Sequence, residues 1–440
     1  MHHSHQQYRD RRARLIAEMR AQSGGIAAVP TAPEALRNAD THYPYRPDSH
    51  CYYLSGFPEP EAVVVLLAGP GTDDARQILF CRDKNPEREI WDGFRYGPDA
   101  AREIFAFDEA YPINELAAKL VDWTCDRPAL YTALGLYPAW DQTITSTLNE
   151  VRNRVRTGVA APEAVVDVRG AIAAMRVVKD SEELKLMRRA AEISSGAHRR
   201  AMQRTRPGWF EYQVEAELAH EFLHAGAQAV AYPSIVASGP NACVLHYREN
   251  NRQTQATDLL LIDAGCEYQG YAADITRTFP VGGKFSGAQR AVYELVLAAQ
   301  LACIEAVRPG RAFHDYHQVA ERVLAQGLID LKLCQGTLDG VLESGAYKQF
   351  YMHRAGHWLG LDVHDVGLYR IGGESRPLEA GMVLTVEPGC YIRRADTVPE
   401  EFWDIGVRIE DDVLVTADGN QNLTAAAPKA IAEVEAVCAR

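Results

Sequence analysis

The stretch LLLIDAGCEYQGYAADITRTFP (Leu259–Pro280) holds two apolar runs, one ending at Asp263 and the other beginning beside Asp274. Four apolar residues, Leu259–Ile262, lead directly into Asp263. That pattern predicts a buried strand with a carboxylate at its end. Gly265 and Gly270 lie between the two aspartates. A hairpin turning at Tyr268-Gln269 pairs position 263 with 274, and directly opposite residues share one face with Cβ atoms about 4.5–5.5 Å apart. Two like charges so placed repel, and a bridging cation is the natural offset. The alternative is a solvated hairpin with two edge acids, which the four apolar residues before Asp263 argue against.

Further acids follow the same plan. In MVLTVEPG (Met382–Gly389) an apolar strand over Met382–Val386 leads to Glu387, and Pro388-Gly389 ends it. In GVRIEDDVLV (Gly406–Val415) the side chains alternate, Val407 and Ile409 on one face and Arg408 and Glu410 on the other. An ordinary solvated face is the other reading of Arg408 and Glu410. In MHRAGHWLGLDVHDVG (Met352–Gly367), His353, His357 and His364 stand among three glycines, in a chain with 14 histidines. A helical zinc pair of the H-E-x-x-H type fails here. Arg354 follows His353, and Gly356 and Gly360 disfavour a helix. The segment is either a flexible loop or part of a site whose other members lie elsewhere. Two Asp, two Glu and histidine form a mostly hard oxygen set that suits Mn²⁺, Mg²⁺ or Co²⁺ better than structural zinc. Four carboxylates carry enough charge for two divalent ions, and such ions about 3.5–4 Å apart can share a hydroxide.

The rest of the chain is that of a soluble α/β protein. Hydrophobic residues make up 47% of 440 and charged residues 24%, enough for two large domains. The net charge of −13 argues against nucleic acid or an anionic membrane as a partner. Nine scattered cysteines without a C-x-x-C pair read as reduced thiols, hence a cytoplasmic location. Neither a signal peptide nor an apolar run of membrane length is present. His2, His3 and His5 read as a disordered terminus or cloning remnant able to take adventitious metal. AVVVLL (Ala62–Leu67) and QILF (Gln77–Phe80) predict buried strands, and INELAAKLVDW (Ile113–Trp123) an amphipathic helix. Asp180 with Glu183 has capping-box spacing and starts a long helix after a boundary near 170–180. A second helix carries the stripe Val292, Val296, Ala299, Cys303 and Val307 and is predicted to end at Arg308, before Pro309-Gly310.

These acidic and histidine segments, with RNADTHYPYRPDSHCYYLSGFPEPEAVVVL (Arg37–Leu66) in the first half, resemble the pita-bread metallopeptidases. That group includes methionine aminopeptidase, prolidase and aminopeptidase P, and the likeness is greatest to bacterial aminopeptidase P. The resemblance implies an α/β (α+β) chain: an N-terminal α/β domain with a mixed sheet over 1–175, and a pita-bread catalytic domain over 176–440. It implies Asp263, Asp274 and Glu410 as ligands of one ion, and Asp274, His357, Glu387 and Glu410 of the other. His353 and His364 become acid–base and substrate-orienting residues, His246 of NACVLHYREN (Asn241–Asn250) a further wall residue, and Arg408 a partner orienting Glu410. The implied cofactors are two divalent ions, Mn²⁺ first, with Co²⁺ or Zn²⁺ as alternatives. The implied reaction is release of the N-terminal residue from peptides with proline second, by a hydroxide bridging both ions, with Glu387 taking its proton. A prolidase acting on dipeptides and a metal-free binding protein of the same fold are the competing readings. The resemblance also implies a homo-oligomer, tetramer or dimer, in which residues such as Trp91 approach a neighbour's site.

Overall fold

The computed structural model describes residues 5–69 and 75–439. His2 and His3 therefore lie outside the described residues, while His5 packs its ring against Phe105. The chain forms two compact units, Met1–Arg176 and Val177–Arg440.

In the first unit, apolar runs build the middle of a mixed six-stranded sheet. Across it the order is Glu109–Pro112, Ala75–Cys81, Val63–Ala68, Gly25–Pro30, Ala129–Thr132 and Ala164–Asp167. Val63–Ala68 is antiparallel to both neighbours, and the outer pairs are parallel. Helix Leu116–Thr124, entered through a 3-10 turn at Ile113–Glu115, lays Leu116 and Leu120 on the sheet. Trp140, Ile144 and Leu148 of helix Pro138–Asn153 join them. Each such leucine or isoleucine contributes about 1.5–3 kcal/mol by leaving water.

In the second unit, helix Ser181–Arg204 starts at Asp180, whose carboxylate accepts from the Glu182 and Glu183 N–H groups. Glu183 returns the bond, accepting from the Asp180 N–H at 2.9 Å. Helix Gly287–Ala306 buries Val292, Val296, Ala299 and Cys303. It stops before the predicted Arg308, because the Asn420 side-chain amide caps the Ile304 and Val307 carbonyls at 2.7 and 3.0 Å.

The strand Leu259–Asp263 lies between Ile235–Ser238 and Thr276–Pro280, antiparallel to both. Leu260 and Ile262 pack under the helices with Ala190, Ile193, Val214 and Leu218. Leu261 points the other way, against Tyr391, and Asp263 shares its side by alternation. Here the register differs from the sequence expectation. Tyr268 pairs with Tyr271 and Asp263 with Thr276, so the turn is Gln269-Gly270. A two-residue hairpin turn of this kind takes positive φ at both central residues. Gln269 and Gly270 have φ of +48° and +84°, and the β-favouring Tyr268 stays in the strand. The shift is two residues, so Asp274 remains on the face of Asp263 as a diagonal neighbour.

Two further pieces close around that face. Val383–Val386 pairs with Asp411–Val415, and Gly389–Ile392 with Ile405–Arg408. Arg408 and Glu410 do alternate with Val407 and Ile409, but both faces are buried rather than one being solvated. The Glu410 N–H donates to the Thr276 carbonyl at 3.1 Å, joining this piece to the strand beside Asp263.

Candidate metal centre

Three separated parts of the second unit bring their acids to one place. Among the described residues, ligand atoms of Asp274, His357 and Glu410 all lie within 4.8 Å of one another. Asp274 and Glu410 are buried. Glu387 joins the group through His357, whose Nε2 lies 3.6 Å from Glu387 Oε1 and 3.4 Å from Asp274 Oδ2. Asp263 joins through Tyr232, whose hydroxyl lies 2.6 Å from Asp263 Oδ1 and also bonds Asp274.

A phenol has one hydrogen to give and here faces two carboxylates. Among the described residues, the groups that pair these four carboxylates with positive charge are Arg408 and, when protonated, His357 and His353. The group is therefore short of positive charge. Burial raises the proton affinity of Asp263, with Arg408 opposing and Asp274 adding to the rise. Burial, then the charges of Asp274, Glu387 and Asp263, push Glu410 well above its usual value. Burial pushes Glu387 up to about 7. At Asp274 burial also favours the proton, yet the His357 hydrogen bond and charge outweigh it and lower the carboxyl. Buried or half-buried, oxygen-rich and short of counter-charge, the donor set fits divalent cations.

The histidines divide by their second nitrogen. His357 Nδ1 lies 3.0 Å from the Trp358 carbonyl, which can only accept, so Nδ1 carries hydrogen and Nε2 faces the carboxylates. This is the tautomer a metal-ligating imidazole needs. Without a cation, burial opposes its protonation, but Asp274 and Glu387 hold it at about 9. His353 Nδ1 faces the Arg354 carbonyl at 2.7 Å, and Nε2 faces the Tyr391 hydroxyl at 2.8 Å. Burial, then the Arg408 charge, lower it to about 4. His353 is thus a neutral ring near neutral pH, accepting from Tyr391 at Nε2. His364 is exposed and stands edge-on to His357, ring centroids 4.2 Å apart. Burial and the His357 charge lower its affinity for a proton. His246 is also exposed, and a charge on it opposes protonation of both His353 and His364.

Arg408 reaches Glu410, the partner the resemblance implied, through Thr276 rather than directly. Its Nη2 meets Asp263 Oδ2 at 2.6 Å and its Nη1 the Tyr391 hydroxyl at 2.9 Å. Its Nε donates to Thr276 Oγ1, which in turn donates to Glu410 Oε2 at 2.7 Å. Tyr232, Thr276 and Tyr391 are members that sequence reasoning did not find. Thr276 alone had a signal: two residues after Asp274 in a strand, it had to share that face.

The chain matches two family models: metallopeptidase family M24 over residues 185–417, and the aminopeptidase P N-terminal domain over residues 8–131. The Xaa-Pro aminopeptidase of Escherichia coli strain K12 is 44% identical, covering 99% of this chain and 98% of its own length. The structure of the Pseudomonas aeruginosa aminopeptidase PepP superposes with a TM-score of 0.96 at 48% identity, covering 99% of this chain and 98% of that one. A zinc-substituted Escherichia coli aminopeptidase P solved with product gives 0.95 at 43% identity, covering 100% and 99%.

Proposed function

This chain belongs to metallopeptidase family M24 and is a metal-dependent Xaa-Pro aminopeptidase, and we propose how its residues divide that work. It joins a mixed α/β N-terminal domain to a pita-bread catalytic domain. The observation that carries the proposal is the convergence of Asp274, His357 and Glu410 within 4.8 Å, with Asp263 tied to Asp274 through the shared Tyr232 hydroxyl and Glu387 ion-paired to His357. Asp263, Asp274 and Glu410 would hold one divalent ion, and Asp274, His357, Glu387 and Glu410 a second. When bound, such ions supply an activated water and polarise the scissile carbonyl.

The other steps belong to side chains. Glu387, beside the ions it would help to hold, accepts the proton of the attacking water and gives it up again. Water oxygen joins the carbonyl carbon, the bond to the proline nitrogen breaks, and that nitrogen takes the proton. Neutral His353, fixed by Tyr391 and Arg354, orients substrate rather than acting as a cationic acid. Exposed His364 and His246 are placed to meet the peptide and assist proton transfer to the leaving nitrogen. Arg408 ion-pairs with Asp263 and opposes the rise in its proton affinity.

Mn²⁺ is the proposed ion, because four carboxylates and one imidazole form a hard set. A homo-oligomer and a cytoplasmic location complete the proposal. Exposed Trp91 on the first unit offers apolar surface to another subunit, and none of the nine cysteines, all among the described residues, is in a disulfide. No helix among the described residues is long and apolar enough to cross a membrane. The test is cleavage of Xaa-Pro-containing tripeptides and Xaa-Pro dipeptides by chelator-treated protein reconstituted with Mn²⁺, Co²⁺ or Zn²⁺. Loss of tripeptide cleavage on chelation and its return with Mn²⁺ is the expected result. Full activity after complete metal removal defeats the proposal.

A further inference from the structure

One buried ion pair stands outside the metal centre and belongs to none of the residues described there. Lys179 Nζ meets Asp365 Oδ2 at 3.0 Å, and both side chains are 1% exposed. Lys179 lies just before the capping box of helix Ser181–Arg204, and its N–H donates to the Gly381 carbonyl at 2.9 Å. The preceding residue, Val178, bridges to Met382. The lysine is thus anchored on the strand that leads to Glu387. Asp365 belongs to the loop that runs from His357 through His364, and directly follows His364.

The loop is folded tightly around this pair. The Asp365 N–H returns to the Trp358 carbonyl at 2.9 Å, and the Gly360 carbonyl accepts from the Ala272 N–H at 2.9 Å. A Cβ at Gly360 would lie 2.2 Å from Asp365 Oδ2 and 3.1 Å from Lys179 Cε. The carboxylate and the lysine stem therefore occupy the space beside Gly360, and only glycine admits them. Ala272 sits two residues before Asp274, so the same loop is tied at one end to the hairpin arm that leads to this proposed metal ligand.

Burying two charges costs much of what their attraction returns, and an apolar pair often serves a fold equally well. What the ion pair adds is a directed tether between two segments 186 residues apart. We infer that Lys179 is a positioning residue for catalysis: through Asp365 it holds the loop so that His364 stays beside His357 and faces the substrate. This rests on the role given above to His364.

The test uses the full-length, metal-loaded enzyme. Lys179→Met leaves Asp365 buried and unpaired and is the variant most prone to misfold, so Lys179→Met/Asp365→Asn, which removes both charges, is made beside it. The neutral pair is expected to keep the parent's metal content and a cooperative thermal transition. Its kcat on an Xaa-Pro tripeptide falls by about 10²-fold with KM little changed, the effect of about an ångström of misplacement. In a His364→Ala background the same pair of changes is expected to add no further loss. A folded, metal-loaded neutral pair with the parent's kcat overturns the inference, as does a loss that persists in full in the His364→Ala background. A His364→Ala enzyme with the parent's kcat instead removes the role of His364 itself, which separates the two failures.

Discussion

The Arg408 guanidinium reaches the Asp263 carboxylate at 2.6 Å, and meets Glu410, its near neighbour in sequence, only through the Thr276 hydroxyl. One buried cation thereby serves both ends of the acidic group. Arg408→Met is expected to leave Asp263 with Asp274 as its nearest charge and no counter-charge. Activity falls by about 10–100-fold, and the metal-free protein loses more thermal stability than the metal-loaded one, because bound cations replace part of the missing charge. Kinetics with a peptide and paired melting curves check this. Equal destabilisation of both forms would refute the electrostatic account.

Tyr232 shares its hydroxyl between Asp263 and Asp274. Burial, followed by the charges of these two aspartates, drives its proton affinity well above the usual phenol value, so the hydroxyl stays intact. Tyr232→Phe keeps the ring and removes the bond that aligns both carboxylates. Metal affinity is expected to drop about 10–100-fold, read by competition with a chelating dye. An unchanged affinity would show that the aspartates are aligned without it.

His364 contacts the His357 ring, and among the described residues no hydrogen bond joins its nitrogens to the acids. His364→Ala is expected to retain both ions by elemental analysis and to lose about 10²–10⁴ in kcat, the range for a lost proton-transfer group. Metal loss matching that of His357→Ala would make it a ligand instead.

The pH dependence follows from the raised carboxyls. Glu387 binds its proton up to about 7 when folded without metal, against 4.5 ordinarily. Its contribution to the metal-free fold is present in full below 4.5 and disappears as pH rises through about 7. Cations compete for the same site, so they bind better as that proton leaves. The gain in melting temperature on adding Mn²⁺ is therefore expected to be small near pH 5 and larger near pH 8, with activity falling on the acid side. His353 works oppositely: depressed to about 4 from 6.5, it stabilises the fold above 6.5 and loses that contribution as pH falls through about 4. A melting-temperature gain that shrinks from pH 5 to pH 8 would contradict this account of the site.

The sequence shows the parts of this site that obey a period. Alternation places Asp263 on the face opposite Leu260 and Ile262, and Arg408 on the face opposite Val407. The Asp180–Glu183 capping box is written in two residues three positions apart and folds as written. The hairpin register is mistaken by two, because Tyr268-Gln269 and Gln269-Gly270 satisfy the same face pattern and only the demand for positive φ separates them. Tyr232 and Tyr391 lie beyond any such reading. Each matters because of a partner far along the chain, and nothing in AYPS or GCYI distinguishes a site tyrosine from a core one. The same holds for Lys179 and Asp365. The end of helix Gly287–Ala306 depends on Asn420, more than a hundred residues away.

The hairpin between the two aspartates also restricts how this enzyme can drift in length. With side chains alternating about the Gln269-Gly270 turn, one residue gained or lost within either arm turns one carboxylate toward the helices and dismantles the centre. Two residues added together leave both carboxylates where they are and lengthen only the tip. Insertions that keep both carboxylates on that face are thus expected in even numbers, or singly where a bulge or a longer turn absorbs the odd residue.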